Sequence, residues 1–354
     1  MKLRKVTALF AAAALAAGLC ACGGAGNTEA AAEKTESAEA ADAGEDTSAE
    51  TEKEIKEIDV VLDWYPNAIH TFLYEAIEKE YFAQEGLSVN LISPADSVDA
   101  ITFVASGKAQ IGLTYPVEIV QAVENEMPVR ALAAVSQKPL DCLCTLGDSE
   151  VTADMASLKG HKVGYSGTSV AEATVRTIAA SAGLKDDDYE MINVGFDLVT
   201  SLTTGSVDLV AGTFINDEVV TMKNAGFDIN VYSEQDYGVP ELYGLVMAVN
   251  AESYDADPEM YAAFLRACSK GFEDMASGEE EAMRVIMGSM NSDDNPLDEE
   301  QQKESYNILM ERMQTADAPF LSMDEQIWND IITWMNESGL IAGTYTAADV
   351  TVGA

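Results

Sequence analysis

The sequence predicts an α/β protein of two lobes with a ligand cleft between them. Apolar runs of strand length alternate with amphipathic runs of helix length from Ile58 to Tyr232, in two consecutive sets. Strands that are separated by helices pair in parallel through right-handed crossovers. The remaining chain is mainly helical, which is typical of a return to the first set. Two segments that cross between the sets would leave a cleft at the carboxyl ends of the strands.

The first set covers residues 58–135. Its predicted strands are 58–64, 87–92, 110–115 and 129–135. Helices are predicted at 71–82, 97–106 and 116–125, because apolar residues recur there at helical spacing. Pro116 supports the start of the third helix, since proline is favoured in a first helical turn.

The second set covers residues 162–232. Its predicted strands are 162–165, 189–194, 208–214 and 229–232, and its predicted helices are 168–182, 198–204 and 217–224. The crossing segments are placed near 146–152 and 243–250. The first lobe is therefore predicted at 58–150, the second at 151–245, and the helical return to the first at 246–354. The stripe of Met260, Phe264, Cys268 and Phe272 in this return is interpreted as core.

The charge balance excludes some classes of partner. The chain has 61 acidic and 20 basic residues, a net charge of -41, so a nucleic acid would be repelled. We interpret most of this charge as a solvated surface. Five cysteines and two histidines are too few for a disulfide scaffold or a histidine-built metal centre, so neither a metal nor a cofactor is expected.

The amino terminus is interpreted as a targeting signal that is separate from the folded domain. Basic residues precede an apolar run from Val6 to Leu19, which fits a secretory signal and is too short to span a bilayer. The following residues, LCACG at 19–23, look like the lipobox of a bacterial lipoprotein. We expect a signal peptide at 1–21, lipidation at Cys22 and an acidic disordered tether at 22–57, and hence a lipid-anchored protein on the extracytoplasmic face of the membrane. Cys20 as the anchor, or an ordinary cleaved signal, are the alternatives.

Polar and aromatic residues follow the predicted strands of the first lobe. Trp64, Tyr65, Asn67 and His70 lie in one turn after the first strand, and a flat heteroaromatic ligand could use their ring faces and amide. Tyr115, with Glu118 one helical turn on, follows the third strand. The alternative is that Trp64 is buried in its own lobe and His70 caps the helix.

The second lobe offers two similar positions. Ser166, Gly167 and Thr168 follow Tyr165 at a helix amino terminus, where they form either an anion cradle or a cap. Asn216 and Glu218 open another helix, with simple capping by Asn216 as the alternative. No nucleophile relay or phosphate-binding glycine motif accompanies them. Cys142 and Cys144 are interpreted as buried free thiols.

Several segments together resemble the NMT1/THI5-like family of ABC-transporter substrate-binding proteins, most closely the subgroup that binds thiamine-precursor pyrimidines. They are DWYPN at 63–67, YFAQEGL at 81–87, ASGKAQIG at 105–112, LKGHKVGY at 158–165, NVGFDLV at 193–199 and YGVP at 237–240. The resemblance covers the chain from Ile58 onward. It implies the type II periplasmic-binding-protein fold, no catalysis, a monomer, and delivery of a small molecule to a membrane permease and its ATPase.

The resemblance also implies roles for particular residues. The family's ligand-binding positions fall on those named above after the strands, and on Tyr243. Glu218 would accept the exocyclic amine of a pyrimidine, and Trp64 and Tyr115 would stack on its ring. Thr114 and Glu118 stand where the related eukaryotic pyrimidine synthase has Lys and His, which argues against synthase activity. Riboflavin or another planar heteroaromatic, a synthase, and a sensor that does not transport remain alternatives.

Overall fold

The computed structural model describes residues 55–95, 99–195 and 197–352. The predicted signal peptide, Cys22 and most of the predicted tether lie outside these residues. The tether was predicted to extend to residue 57, but the first strand already begins at Lys56 and pairs there with Leu87. Within the described part of the chain, no helix is both long and apolar enough to cross a membrane.

Ten strands are numbered in chain order. They are β1 Lys56–Val61, β2 Leu87–Ile92, β3 Ile111–Thr114, β4 Val129–Ser136, β5 Asp141–Leu146, β6 Lys162–Tyr165, β7 Glu190–Asn193, β8 Leu209–Phe214, β9 Ile229–Tyr232 and β10 Leu245–Asn250.

The α-helices are numbered likewise. They are α1 Thr71–Glu78, α2 Tyr81–Gln84, α3 Asp99–Ala105, α4 Pro116–Glu124, α5 Ser169–Ser181, α6 Leu198–Thr203, α7 Glu218–Asn224, α8 Ala251–Ala256, α9 Pro258–Ser277, α10 Glu279–Val285, α11 Glu299–Met310, α12 Glu325–Glu337 and α13 Ala347–Val350. The helix predicted at 71–82 is two helices, because Glu80 adopts a left-handed conformation with φ 59° between them.

The strands form two five-stranded sheets. The first has the order β2-β1-β3-β10-β4 and the second the order β7-β6-β8-β5-β9. In each sheet four strands run in one direction, and one strand inserted from elsewhere in the chain, β10 or β5, runs antiparallel between two of them. This arrangement confirms the prediction of an α/β fold with two lobes.

One lobe boundary differs from the prediction. We predicted that the first lobe extends to residue 150, but β5 pairs with β8 and β9 and so belongs to the second sheet. The chain therefore crosses before Asp141. It returns before Leu245, since β10 lies in the first sheet between β3 and β4. A strand's partner is a tertiary property that its own apolar pattern does not encode.

The two crossing segments lie side by side. Gly244 donates its backbone N–H to the carbonyl oxygen of Ser136 at 3.0 Å. A Cβ at residue 244 would lie 2.6 Å from the carbonyl oxygen of Lys138, so only glycine allows this approach. The packing of the crossing therefore requires glycine at residue 244.

The returning helices cover both faces of the first sheet. On one face α9 packs against α1, and the predicted stripe on α9 is confirmed as core, with Phe264 and Cys268 fully buried. On the other face α12 places Trp328 and Ile331 against α4 and β10. The helical return thus completes the first lobe, and the strand ends are left for the site.

Candidate ligand-binding cleft

The carboxyl ends of β1 and β3 present a hydrogen-bonded group centred on Asp63. One carboxylate oxygen of Asp63 lies 2.8 Å from Nε2 of His70, and the other accepts a hydrogen bond from the Tyr115 hydroxyl at 3.1 Å. Nδ1 of His70 accepts the backbone N–H of Asn67 at 3.2 Å, so the proton is on Nε2 and is donated to Asp63. Asp63 is thus oriented by two neutral donors.

His70 was predicted to contact the ligand, but the structure gives it another role. Its side chain is fully buried and both ring nitrogens have partners. It caps the turn that begins at Asn67, which is the alternative named above. The Asn67 side chain is likewise occupied, since Oδ1 accepts the N–H of Ile69 and Nδ2 donates to the carbonyl of Tyr65.

Trp64 and Tyr65 lie beside this group on the surface. Each is 49% exposed, and their rings meet edge to face with centroids 5.8 Å apart. The alternative that Trp64 is buried in its own lobe is therefore wrong. Exposed adjacent rings after a strand end can provide a stacking wall for a planar ligand.

Tyr115 connects the two lobes. Its ring centroid lies 6.0 Å from that of Phe214 at the end of β8 in the second sheet. Burial, followed by the nearby Asp63 and Asp141 carboxylates, holds the pKa of the Tyr115 hydroxyl well above its usual range. The hydroxyl therefore remains a neutral donor. Glu118, one turn into α4, accepts the hydroxyl hydrogen of Thr114, and burial raises its pKa.

Glu218 and Asn216 follow β8 on the opposite side of the cleft. Glu218 accepts the backbone N–H of Phe214 at 2.8 Å, and burial together with Asp217 raises its pKa to about 7. Asn216 is buried and does not cap α7, contrary to the capping alternative. Its Nδ2 donates to the Ser305 hydroxyl at 3.2 Å, while its Oδ1 has no partner among the described residues.

Asp141 and Glu234 belong to the same edge of the second sheet and were not among the predicted residues. Asp141 opens β5 opposite Phe214, and burial raises its pKa. Glu234 follows β9, is 3% exposed, and has a raised pKa because of burial and the nearby Asp141. Asp141 was missed because the prediction assigned β5 to the first lobe, which placed this residue away from the strand ends of the second lobe.

The other predicted residues have contacts within their own surroundings. Thr168 caps α5 by accepting the N–H of Ala171 at 3.1 Å, and its hydroxyl lies 3.4 Å from that of Ser166. Gly167 has φ 82°, in the left-handed region that favours glycine, and Tyr165 packs on the second-lobe core. None of these contacts reaches the Asp63 group, so the capping reading of this turn is the better one.

Tyr243 was predicted to bind the ligand and instead is core. It is 2% exposed, and its ring packs on Trp328 with centroids 5.8 Å apart. Its hydroxyl accepts the N–H of Asp324 at 2.6 Å. The tyrosine lies in the segment that crosses back to the first lobe, where it anchors the start of α12.

Cys142 and Cys144 are buried free thiols, as predicted. Their sulfur atoms are 3.8 Å apart, and both lie near the Thr213 hydroxyl on the neighbouring strand. Among the described residues no group of three or more potential ligands could hold a metal ion. One hollow of about 360 Å³ is lined by Ile332 and Asn336 of α12, and another, of about 270 Å³, is lined by Leu146, His161 and Asp208 at the opposite edge of the second sheet from Phe214.

Helix α11 of the first lobe contacts the second lobe beside the cleft. Gln301 Nε2 donates to Asp217 at 2.7 Å, and Ser305 accepts from Asn216. On the same helix, Gln302 accepts the backbone N–H of Ala68, next to the Asp63 turn. One helix therefore holds the polar strand ends of both lobes.

Comparison with known proteins agrees with this architecture. The NMT1/THI5-like family matches residues 67–282. A formylaminopyrimidine-binding protein of Halalkalibacterium halodurans is 36% identical over 302 residues, covering 85% of this chain and 91% of that protein. A 4-amino-5-hydroxymethyl-2-methylpyrimidine phosphate synthase of Aspergillus parasiticus is 30% identical over 155 residues, 44% of this chain and 45% of that protein.

A solved structure confirms the fold. The periplasmic aliphatic sulphonate binding protein SsuA of Escherichia coli superposes with a TM-score of 0.65 at 13% identity, over 84% of this chain and 97% of that chain. The longer of the two sequence matches is to a binding protein, which supports binding rather than catalysis. The chain therefore belongs to the NMT1/THI5-like family and has the two-lobed fold of the periplasmic binding proteins.

Proposed function

We propose that this protein is the extracytoplasmic solute-binding component of an ABC importer and that it captures a thiamine-precursor-like aminopyrimidine. The observation that carries the proposal is the meeting of Tyr115 from one lobe with Phe214 and Glu218 from the other at the strand ends. Rings and a carboxylate are what a planar amine-bearing heterocycle requires. The formylaminopyrimidine-binding relative supports the same ligand class.

Each residue has a defined part in capture. Trp64 and Tyr115 stack on the two faces of the ring, and Glu218 accepts the exocyclic amine. Asp63, oriented by His70, keeps the Tyr115 ring in position through its hydroxyl. The crossing segments before Asp141 and before Leu245 act as the hinge about which the lobes open and close.

Delivery requires the membrane. We propose that Cys22 carries the lipid anchor and that the closed monomer presents its ligand to a permease and the associated ATPase. Several acyl chains on one cysteine, at about 0.8 kcal/mol per buried methylene, would hold the protein stably on the bilayer. Mass spectrometry of the purified amino terminus tests the anchor, and an unmodified Cys22 would contradict it.

Isothermal titration tests the ligand. Formylated and hydroxymethyl aminopyrimidines, thiamine, riboflavin and pyridoxal form the panel. In a parallel thermal-shift measurement, a true ligand at 100 times its Kd should stabilise the fold by about 2.7 kcal/mol. Glu218→Gln should weaken binding of the aminopyrimidine about 10- to 100-fold, because a charge-assisted hydrogen bond is lost. Glu190→Gln, an exposed acid on edge strand β7, is the matched control and should leave the affinity unchanged.

Two outcomes would contradict the proposal. Equal affinity of Glu218→Gln and the unchanged protein for every aminopyrimidine would remove the role of Glu218. Conversion of the pyrimidine, or product formed on incubation with pyridoxal phosphate and iron, would favour the synthase alternative. Recovery of the bound compound chemically unchanged is the expected result.

A further inference from the structure

We propose that the cleft selects its ligand by charge, accepting heterocycles with N–H donors or positive charge and excluding anionic derivatives of the same ring, with Asp141 and Glu234 as specificity-determining residues. The inference rests on the proposed function, since it concerns the same cleft. It adds a property beyond stacking, because contact between ring faces does not by itself read the charge of a substituent at the edge of the ligand ring.

Both lobes contribute carboxylates to the cleft. These residues, the cleft acids, are Asp63 and Glu118 from the first lobe and Asp141, Glu218 and Glu234 from the second. Asp141 raises the pKa of Tyr115 across the cleft as well as those of Glu218 and Glu234, so these groups lie within electrostatic reach of one another.

The described residues supply no cation to these acids. None of the five forms an ion pair with Lys or Arg, and the one imidazole among them, His70, is neutral because its Nδ1 accepts an N–H. Some acids elsewhere on the protein are paired, as Glu281 is with Arg284 and Lys79. The cleft acids of both lobes therefore have no compensating cation, and burial raises the pKa of four of them, which reduces the negative charge that they carry at neutral pH.

Buried acceptors without partners point in the same direction. In the described part of the structure, Oε1 of Glu234 and Oδ1 of Asn216 have no hydrogen-bond partner, although both residues are more than nine-tenths buried. An unsatisfied buried acceptor is unfavourable until a donor reaches it. A ligand rich in N–H groups would supply that donor, whereas a phosphate, sulfonate or carboxylate would add acceptors and like charge.

The fold by itself does not impose this preference. The superposed structure from Escherichia coli is described as binding aliphatic sulphonates, which are anions, with the same arrangement of lobes. The sign of the accepted charge is therefore set by side chains at the strand ends. In this chain those side chains are acids.

An isosteric ligand pair tests the proposal. The hydroxymethyl group of 4-amino-5-hydroxymethyl-2-methylpyrimidine is replaced by a carboxamide in one probe and by a carboxylate in the other, so that they differ in charge and hardly in size. Isothermal titration of the full chain should give a Kd at least about 100-fold weaker for the carboxylate, because like charges repel in a desolvated site. Equal affinities would overturn the proposal.

Variants assign the effect to residues. Asp141→Asn and Glu234→Gln keep side-chain shape. In the double variant the ratio of the carboxylate Kd to the carboxamide Kd should fall at least about 10-fold. Glu190→Gln, the control, should leave the ratio of the two Kd values unchanged. Since both substitutions keep side-chain size and replace buried carboxyl groups whose ionisation burial disfavours, we expect the variants to fold, and thermal melting checks this. An unchanged ratio of the two Kd values in the folded double variant would show that Asp141 and Glu234 do not determine the selectivity.

A second probe pair separates this inference from the proposed function. Riboflavin and its phosphate ester differ in charge on an unrelated planar ring. If neither pyrimidine binds but riboflavin does, the proposed ligand is wrong, and exclusion of the flavin phosphate still supports selection by charge. Equal binding of the two flavins would overturn it. If none of the four compounds binds, both proposals are wrong.

Discussion

The cleft acids and the acids on the helical face of the first lobe have opposite electrostatic environments. Glu281 lies between Arg284 and Lys79, and these partners lower its pKa to about 2. Glu218 has neutral donors and an acidic neighbour, and burial raises its pKa to about 7. The net charge of the chain does not distinguish the two sets. What separates a solvated acid from a site acid is the tertiary neighbour that the fold brings to it.

The largest expected loss of stability comes from removing one of the cleft acids. Asp63→Ala should lower the free energy of unfolding by about 3 kcal/mol, because the N–H of the fully buried His70 would be left without an acceptor. Urea denaturation measures the change. Tyr115→Phe removes only one hydrogen bond to the same carboxylate and is expected to cost about 1 kcal/mol. Similar losses in the two variants would contradict the central position of Asp63.

The unfolding free energy measured over a pH series tests the raised pKa of Glu218. Because the pKa of Glu218 is raised from 4.5 to about 7 in the folded state, the fold binds this proton more tightly than the unfolded chain does. Its contribution to stability is present below pH 4.5 and is lost as the pH rises through 7. The ligand-free protein should therefore lose on the order of 2 kcal/mol from this group over that range.

Glu218→Gln isolates this contribution. The variant should show a flatter dependence of unfolding free energy on pH between 4.5 and 7.5 than the unchanged protein. Glu190→Gln, on an exposed edge strand, is the control and should keep the original slope. An unchanged slope in Glu218→Gln would show that burial does not raise the pKa of this carboxyl.

The smallest effect concerns the paired surface acids. Glu281→Gln should change the unfolding free energy at pH 7 by less than about 1 kcal/mol, since its partners are about half exposed. The stability contribution of Glu281 changes with pH in the opposite direction to that of Glu218. Because the pKa of Glu281 is lowered, its contribution is present above pH 4.5 and is lost as the pH falls toward 2. Thermal melts at pH 7 and pH 3 measure both parts, and a larger loss at pH 3 would contradict the argument.

Some features of the site follow from local sequence. The turn at 63–70 was identified because aromatics, an amide and an imidazole follow a buried strand, and the alternative that His70 caps the turn describes a local hydrogen bond. Helix caps such as Thr168 are similarly local. Other features were missed because they depend on distant partners. Tyr243 was placed in the site by its motif, but Trp328 and Asp324, more than eighty residues away, make it core.

The sequence by itself determined that this chain alternates strands and helices in two sets, that it returns to its first lobe, and that polar residues follow the strands, because hydrophobic periodicity and capping are properties of neighbouring residues. Only the tertiary structure decided that β5 joins the second sheet and brings Asp141 opposite Phe214. It also decided which acidic residues, among those that the structure describes, are buried without a cation. Burial and pairing are set by elements far apart in the chain, and no local pattern encodes them.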